Sequence, residues 1–266
     1  MRLGRGSSEF GGQLRKWRQA RQLSQLELSV DAGVSPRHLS FIETGRAQPS
    51  REMVLLLAEH LQLPLRDQNT MLLAAGFAPA FEQRQLDAPE MSAIRAAVEM
   101  VLEGHEPFPA IAVDRKWNVV LSNCGAPLLV DGVAPELLTA PINVYRLSLH
   151  PGGLRRRALN FDEYARHLVA RLRHDASTCG DPDLQALLAE VEGYPAIRSI
   201  AGTTVGRGNV VLPLRLKSDH GELGFITTIA TFGTPFDITV SELAIESFFP
   251  ADVATAQRIR AGANAK

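Results

Sequence analysis

The stretch Leu23-Ser-Gln-Leu-Glu-Leu-Ser-Val-Asp-Ala-Gly-Val-Ser-Pro-Arg-His-Leu-Ser-Phe-Ile-Glu-Thr-Gly-Arg46 predicts two short helices joined by a tight turn. Ser24 can cap the first helix, because its hydroxyl can accept a hydrogen bond from a free backbone N–H. Gly33 stands where the turn needs a residue that tolerates a positive φ. Ser35 and Pro36 mark the start of the second helix, with proline at its favoured first position. The stretch therefore has the layout of a helix-turn-helix.

The surrounding sequence supplies the apolar face that such a unit needs. Glu27, three positions after Ser24, completes a capping box, and Gly45 ends the later helix. Residues 9–77 as a whole predict a series of short helices. Their apolar side chains recur at helical spacing and include Leu14, Trp17, Leu28, Ala32, Val34, Leu39, Ile42, Val54, Leu57, Ala58 and Leu61. We expect these side chains to form one all-α core.

The outward-facing residues of the second helix predict contact with DNA. If this helix lies in a major groove, Arg37 and His38 are the base-contact candidates, because arginine can bond both O6 and N7 of guanine. Gln25, Arg46 and Ser50 are expected to contact phosphates and set the register. The full predicted set of DNA-contacting residues is Gln25, Ser35, Pro36, Arg37, His38, Ser40, Phe41, Arg46 and Ser50.

The distribution of charge favours contact with phosphates through this part of the chain alone. The whole chain carries 28 Lys and Arg against 29 Asp and Glu. Residues 1–60 hold nine basic and six acidic residues, a balance of +3, which leaves −4 for the remainder. A basic first domain is typical of a protein that meets DNA through that domain. A helical unit of this shape can also serve as a protein-binding module, which stays the alternative.

The sequence predicts a second domain after a linker. The Gly76-Phe-Ala-Pro-Ala-Phe segment interrupts the helical pattern. We expect an all-α DNA-binding domain at residues 9–77, a linker with a connecting helix at 78–104, and a second domain at 105–252. The protein is thus predicted to be multidomain.

The second domain shows the pattern of an α+β fold. Two hairpins flank two helices, which favours an antiparallel sheet with helices packed on one face. The predicted hairpins pair residues 110–114 with 118–122 and 209–217 with 223–232, and the predicted helices cover 161–173 and 183–192.

This domain offers a surplus of large side chains for its core. An apolar ligand site would need an apolar wall and one or two polar groups. The candidate wall residues are Phe108, Trp117, Tyr145, Phe161, Phe225 and Phe232, and the candidate anchors are Arg146, His150 and Arg166. For any one aromatic residue, core packing is the preferred interpretation, because aromatic burial dominates core energetics. Each anchor is more simply a surface or structural charge.

Several other classes of function find no support in the sequence. Cys124 and Cys179 are far apart and form no CxxC pair, which argues against structural zinc and a disulfide framework. His167 and His174 lack a third ligand, so no metal or other cofactor is predicted. No motif of a hydrolase or a metalloprotease occurs, and we predict no enzyme. The absence of a signal peptide and of a long apolar run predicts a cytoplasmic protein that does not enter membranes.

The first domain resembles the Cro/C1-type (XRE) family of repressors. The resemblance rests on Ser24-Gln25 to Leu28, Ala32-Gly33-Val34-Ser35, Leu39-Ser40, Ile42-Glu43, Gly45-Arg46 and Pro49-Ser50. It implies that Gln25 touches the sugar-phosphate backbone and that Arg18 pairs with Glu43. Pro36 departs from the family pattern, because phage repressors often carry a base-reading glutamine there. Base recognition is therefore expected to shift to Arg37 and His38.

The second domain resembles the MmyB-like ligand-binding domain found behind XRE domains. The motifs are Val113-Asp114-Arg115-Lys116-Trp117-Asn118, Asn123, Asn143 to Pro151, Ala165 to Leu168, Thr231-Phe232-Gly233-Thr234-Pro235 and Glu246-Ser-Phe-Phe-Pro250. The resemblance implies a PAS-like fold with an internal cavity for a fatty acid or a related lipophilic molecule. We expect a homodimer on a double-stranded DNA operator, because helix-turn-helix proteins usually gain affinity from two half-sites. The alternatives are a second domain that binds a protein partner and no small molecule, and an unrecognised enzyme.

Overall fold

The computed structural model divides into two compact units. The first comprises Met1–Gln85 with Gly233–Ser241, and the second comprises Leu86–Phe232 with Glu242–Lys266. The residues whose structure is described are 5–179, 181–200, 211–219 and 221–264.

Helices make up most of the regular structure in these residues. The α-helices are α1 (Arg5–Ala20), α2 (Gln25–Asp31), α3 (Pro36–Glu43), α4 (Arg51–His60), α5 (Leu65–Ala74), α6 (Ser92–Gly104), α7 (Pro127–Val130), α8 (Val144–Leu149), α9 (Phe161–Cys179), α10 (Pro182–Glu192), α11 (Pro195–Ile200), α12 (Ile238–Glu242) and α13 (Val253–Asn264). Short 3-10 helices cover Pro89–Met91, Pro135–Leu138 and Leu154–Arg156. The strands are β1 (Ala110–Val113), β2 (Val119–Ser122), β3 (Leu214–Ser218), β4 (Gly221–Thr231) and β5 (Ala244–Pro250).

The predicted helix starts and turn of the first unit are confirmed. The Ser24 side chain accepts from the backbone N–H of Glu27, and the Glu27 carboxylate accepts from the backbone N–H of Ser24, at 2.7 Å. Gly33 has a φ of +64° and Gly45 a φ of +71°, which glycine adopts without steric cost. These local signals set where α2 begins and where α2 and α3 end.

Helices α1 to α5 enclose one apolar core in the first unit. The fully or nearly fully buried side chains include Phe10, Leu14, Leu28, Leu39, Ile42, Val54, Leu57, Leu61, Met71 and Leu72. The all-α core predicted for the first domain is therefore confirmed, while the exact domain limits stay predictions.

A segment distant in sequence completes the first unit. The backbone of Asp237 forms a bridge with that of Glu82, and the Asp237 carboxylate accepts from the Arg84 guanidinium at 3.1 Å. The Thr239 hydroxyl donates to the carbonyl of Arg84 at 2.6 Å. Residues 233–241 thus pack with the first unit, although they lie inside the range expected for the second domain.

The second unit is built on one five-stranded antiparallel sheet. Its strand order is β2-β1-β5-β4-β3, so β1 and β4 both pair with β5. Both predicted hairpins are present, as β1 with β2 and as β3 with β4. The α+β class of this domain is confirmed.

Helices cover both faces of this sheet, which corrects the expectation of a single covered face. All four residues of β1 are buried. Ile111 and Val113 belong to the larger core with α8 to α11, whereas Ala110 and Ala112 pack with Val98 and other side chains around α6. Alternate residues of a strand point to opposite faces, so β1 is buried on both sides.

Asn123 is a buried junction between the sheet and α6. Its side-chain carbonyl accepts from the backbone N–H groups of Ala110, at 2.9 Å, and Gly125, at 3.2 Å. Its amide donates to the carbonyls of Leu102, at 3.0 Å, and Phe108, at 2.8 Å. All the hydrogen-bonding groups of the amide side chain are thereby used inside the protein.

The central strand β5 is the main element that the sequence pattern did not predict. Its segment was noticed only as a family motif, because its side chains do not alternate in a simple apolar and polar pattern. The third strand also starts later than expected, at Leu214, and residues 209 and 210 lie outside the described residues. Helices α8, α11 and α13 were likewise not predicted, and α8 and α11 are only six residues long.

Candidate nucleic-acid interface and ligand cavity

The start of α3 is held by local interactions that the sequence predicted. The Ser35 hydroxyl accepts from the backbone N–H of His38 at 3.2 Å, and Pro36 is the first helical residue. On the opposite side of the helix, Leu39 and Ile42 are fully buried in the core of the first unit. The helix therefore presents its N-terminal residues outward on a fixed base.

A buried carboxylate ties α1, α2 and α3 together. Glu43 accepts from the Arg18 guanidinium at 2.6 and 3.0 Å, from Arg15 at 3.4 Å and from the Gln25 amide at 2.7 Å. Burial alone would raise the pKa of Glu43, but the hydrogen bonds from Arg18 and Gln25, with the charge of Arg18, outweigh burial and lower it. The Arg18–Glu43 pair that the resemblance implied is present.

The predicted DNA-contacting residues all lie in the first unit, most of them accessible. Ser35, Pro36 and Arg37 are exposed, and His38 and Phe41 are half-buried. Of the remaining predicted residues, Gln25 and Ser40 are half-buried, and Arg46 and Ser50 are exposed. The Arg37 guanidinium lies 5.2 Å from the centre of the Phe41 ring, which holds the arginine side chain against the helix. Base contact by these residues stays a prediction.

Gln25 and Ser50 have structural roles beside the predicted ones. One N–H of the Gln25 amide is occupied by Glu43, which leaves the second N–H for another acceptor. The Ser50 hydroxyl accepts from the backbone N–H of Met53 at 3.2 Å and so caps α4. Both side chains are therefore held in place without a ligand.

The second unit contains an apolar cavity of about 180 Å³. Strands β1, β2, β3 and β5 and helices α7, α8 and α9 contribute to its wall. The lining residues are Ile111, Val119, Ser122, Ala126, Pro127, Leu129, Val130, Leu138, Ile142, Val144, Leu147, Ser148, Leu154, Tyr164, Leu214 and Phe248. An engineered cavity of about 150 Å³ is large enough for benzene, so this one has room for a small organic molecule.

None of the six aromatic ligand candidates is among these lining residues. Phe225 is fully buried and packs edge-on against Phe248, and Phe161 lies beneath the guanidinium of Arg155. Phe232 packs in the smaller core beside α6. Phe108 is half-buried at the edge of the larger core.

Trp117 and Tyr145 belong to a buried cluster around Arg171. The guanidinium carbon of Arg171 lies 4.0 Å from the centre of the Trp117 ring, and its Nε donates to the Tyr145 hydroxyl at 3.1 Å. Glu246 on β5 lies 3.9 Å from the same guanidinium. Burial raises the pKa of Glu246, and the charge of Arg171 opposes that rise.

The three polar anchor candidates also lie away from the described cavity wall. Arg146 forms an ion pair with Glu190 at 2.7 Å, and the His150 ring packs edge-on against Tyr194. Arg166 is half-buried on α9. The nine candidates were chosen by size and charge, which do not reveal where packing leaves a gap.

The two buried polar members of the cavity wall, Ser148 and Tyr164, were not predicted from the sequence. Ser148 lies in a short helix, and Tyr164 shares the apolar stripe of α9 with Phe161 and Leu168. Both look like ordinary core positions in the sequence. The only signal was that Ser148 falls in the Asn143 to Pro151 motif of the family resemblance.

The described residues contain neither a metal-binding cluster nor a helix suited to a membrane. No cluster of three or more His, Cys, Asp or Glu side chains there is arranged to hold a metal ion. None of the helices in the same residues is long and apolar enough to cross a membrane.

Known proteins resemble both units. A model of the MmyB-like transcription regulator ligand binding domain matches residues 94–261, and a helix-turn-helix model matches residues 14–68. The HTH-type transcriptional regulator RghRB of Bacillus subtilis (strain 168) is 34% identical over 114 residues, which cover 42% of this chain and 79% of that protein.

Two solved structures share sequence with part of the chain. The restriction-modification controller protein C.AhdI from Aeromonas hydrophila is 31% identical, with 23% of this chain and 94% of that chain covered and a TM-score of 0.23. The clp gene regulator ClgR from C. glutamicum is 28% identical, with 27% of this chain and 88% of that chain covered and a TM-score of 0.24. Because the ligand-binding-domain model alone matches more than half of the chain, the protein belongs to the family of helix-turn-helix transcription regulators with an MmyB-like ligand-binding domain.

Proposed function

We propose that this regulator binds a DNA operator as a homodimer through α3 and responds to a small apolar molecule held in the second unit. The observation that carries the proposal is the outward N-terminal face of α3. This helix begins at the Ser35 cap, exposes Arg37, and is tied to α1 through the Arg18–Glu43 ion pair. Arginine is the side chain best suited to guanine in the major groove.

Specificity and positioning are assigned to different residues. Arg37 and His38, flanked by Ser35, Pro36 and by the half-buried Ser40 and Phe41, read the base edges. Gln25, Arg46 and Ser50 hold the phosphates. These are the residues predicted from the sequence, and the exposure of the Arg37 and Arg46 side chains supports their assignment to DNA contact.

The homodimer is proposed from the geometry of recognition. One short helix in one groove contacts few base pairs, whereas two copies reach half-sites about 34–36 Å apart on the same side of the duplex. We expect a nearly palindromic operator. Sedimentation equilibrium of the free and the operator-bound protein measures the number of copies directly.

The sensing role is assigned to the cavity of the second unit. A single antiparallel sheet covered by helices around an apolar cavity supports the PAS-like description. The cavity wall is mainly aliphatic, which suits a lipophilic metabolite of the fatty-acid-related class.

A matched pair of arginine variants tests the DNA-binding proposal. The operator is first selected from random duplexes, and binding is then measured by fluorescence anisotropy on that operator and on scrambled DNA at one salt concentration. Arg37→Ala is expected to weaken operator binding about tenfold or more, with a much smaller loss on scrambled DNA. Arg46→Ala removes the same charge and is expected to weaken both equally. Equal losses for Arg37→Ala on both duplexes would remove its base-reading role.

A protein-interaction role for the second unit is the other candidate. Met100 and Val101 on α6 are 72% and 48% exposed, and large exposed apolar side chains side by side favour a partner surface. Native mass spectrometry of the protein purified from its host distinguishes the two roles. A bound small molecule supports sensing, and a stoichiometric polypeptide supports interaction.

A further inference from the structure

Two buried hydroxyl groups interrupt the apolar wall of the cavity. Ser148 is 5% exposed and Tyr164 is 8% exposed, and both line the cavity. Each hydroxyl can donate one hydrogen bond and accept others. A ligand with a polar atom at this place would satisfy them.

The cavity has an accessible side and a buried side. Ser122 and Pro127 are exposed, and Leu138 is 36% exposed, so solvent reaches the wall near these residues. Ser148 and Tyr164 belong to the buried part of the lining.

The charges around the cavity disfavour an anion at the hydroxyls. None of the described lining residues has a side chain that can carry a positive charge. Burial raises the pKa of Tyr164, and the negative charge of Glu246 adds to the rise more than Arg171 offsets it, so the hydroxyl stays protonated and can donate. A buried carboxylate without a cation is heavily penalised.

We propose that the cavity binds a small neutral molecule whose polar end, a hydroxyl or carbonyl group, hydrogen-bonds to Ser148 and Tyr164. This rests on the sensing role proposed above and narrows it, because it assigns the ligand an uncharged end rather than a buried carboxylate. The apolar remainder of the molecule lies against the aliphatic wall.

Three probes of nearly equal size test the proposal: benzyl alcohol, benzoate and toluene. Binding of each to the full-length protein is measured by isothermal titration calorimetry at pH 7.5. We expect benzyl alcohol to bind about 3- to 10-fold more tightly than toluene, because one or two net hydrogen bonds are gained. Benzoate is expected to bind at least tenfold more weakly than benzyl alcohol.

Two variants locate the effect. Tyr164→Phe and Ser148→Ala are expected to lose the preference for benzyl alcohol over toluene while toluene binding is kept. Tyr164→Phe retains the ring, so its melting temperature, compared with that of the wild type, checks that the variant is folded. A retained preference in both variants would overturn the assignment.

The outcomes separate this inference from the sensing role. Tighter binding of benzoate than of benzyl alcohol would overturn the neutral-ligand inference and leave sensing intact. Failure of all three probes to bind would also overturn the neutral-ligand inference, whereas the sensing role is tested separately by the small molecule found in native mass spectrometry.

Discussion

Gly11 on α1 lies against the backbone of α3, and replacing it by alanine tests how tightly these helices pack. A β-carbon at position 11 would lie 2.6 Å from the carbonyl oxygens of Ile42 and Glu43. Ordinary contacts between carbon and carbonyl oxygen are about 3.3 Å or longer. The helices must therefore separate by roughly 0.7 Å, because backbone carbonyls cannot rotate aside as a flexible side chain would.

The neighbouring Gly12 provides the matched control. It is exposed on the same helix, and a β-carbon there would meet no atom within 4 Å. Gly12→Ala should therefore stabilise the first unit by about 1 kcal/mol through helix propensity. Gly11→Ala gains the same amount but loses about 1–3 kcal/mol through overpacking. The free energies of unfolding should thus differ by about 1–3 kcal/mol in favour of Gly12→Ala.

The stability of the first unit alone is measured by titrating the full-length protein with urea and monitoring amide hydrogen exchange in peptides from α1 and α3. In thermal melts, each kcal/mol corresponds to about 4–8 °C for a unit of this size. If Gly11→Ala proved as stable as Gly12→Ala, the close approach of α1 and α3 would be refuted.

Further predictions concern the Glu43 carboxylate, the Ser35 cap of α3 and the buried amide of Asn123. The lowered pKa of Glu43 means that its contribution to stability is complete above its ordinary value of 4.5 and is lost as the pH falls through its folded value. The free energy of unfolding of the first unit, measured at decreasing pH, should show this loss in the wild type but not in Glu43→Gln. Parallel pH profiles of stability for the two proteins would contradict the prediction. Ser35→Ala should lower the unfolding free energy of the first unit by about 1 kcal/mol in urea titrations, whereas Ser35→Asp, which can still cap α3, should lose less. Asn123→Ala should destabilise the second unit by at least about 3 kcal/mol, because two backbone donors and two carbonyls lose their partner. Asn123→Asp keeps the two accepted bonds but places a carboxylate oxygen against the carbonyls of Leu102 and Phe108, so it should also lower the melting temperature in calorimetry; an unchanged melting temperature would argue against a role for the donated bonds.

Local chemistry explains which parts of the first unit could be predicted. The capping box at Ser24 and the turn at Gly33 depend on residues within a few positions of each other, and their structure follows from backbone hydrogen bonding. The Arg18–Glu43 pair spans 25 residues and came from a family resemblance. Its hydrogen bond to Gln25 was not foreseen, because it depends on how α2 and α3 cross.

The second unit shows why pattern alone was insufficient there. Both hairpins join strands that are close in sequence, so turn signals revealed them. β5 pairs with β1 and with β4, and all four of its partners on β1 are more than 100 residues away along the chain. Nothing near β5 in the sequence specifies those neighbours.

The sequence by itself therefore determined the helix-turn-helix, its outward residues and the α+β class of the second domain, because these follow from capping, periodicity and turn chemistry. Only the tertiary structure decided which side chains surround the cavity. A cavity is the volume that packed elements fail to fill, so its wall depends on the relative placement of strands and helices. That placement left Phe225 in the core and brought Ser148 and Tyr164 to the wall.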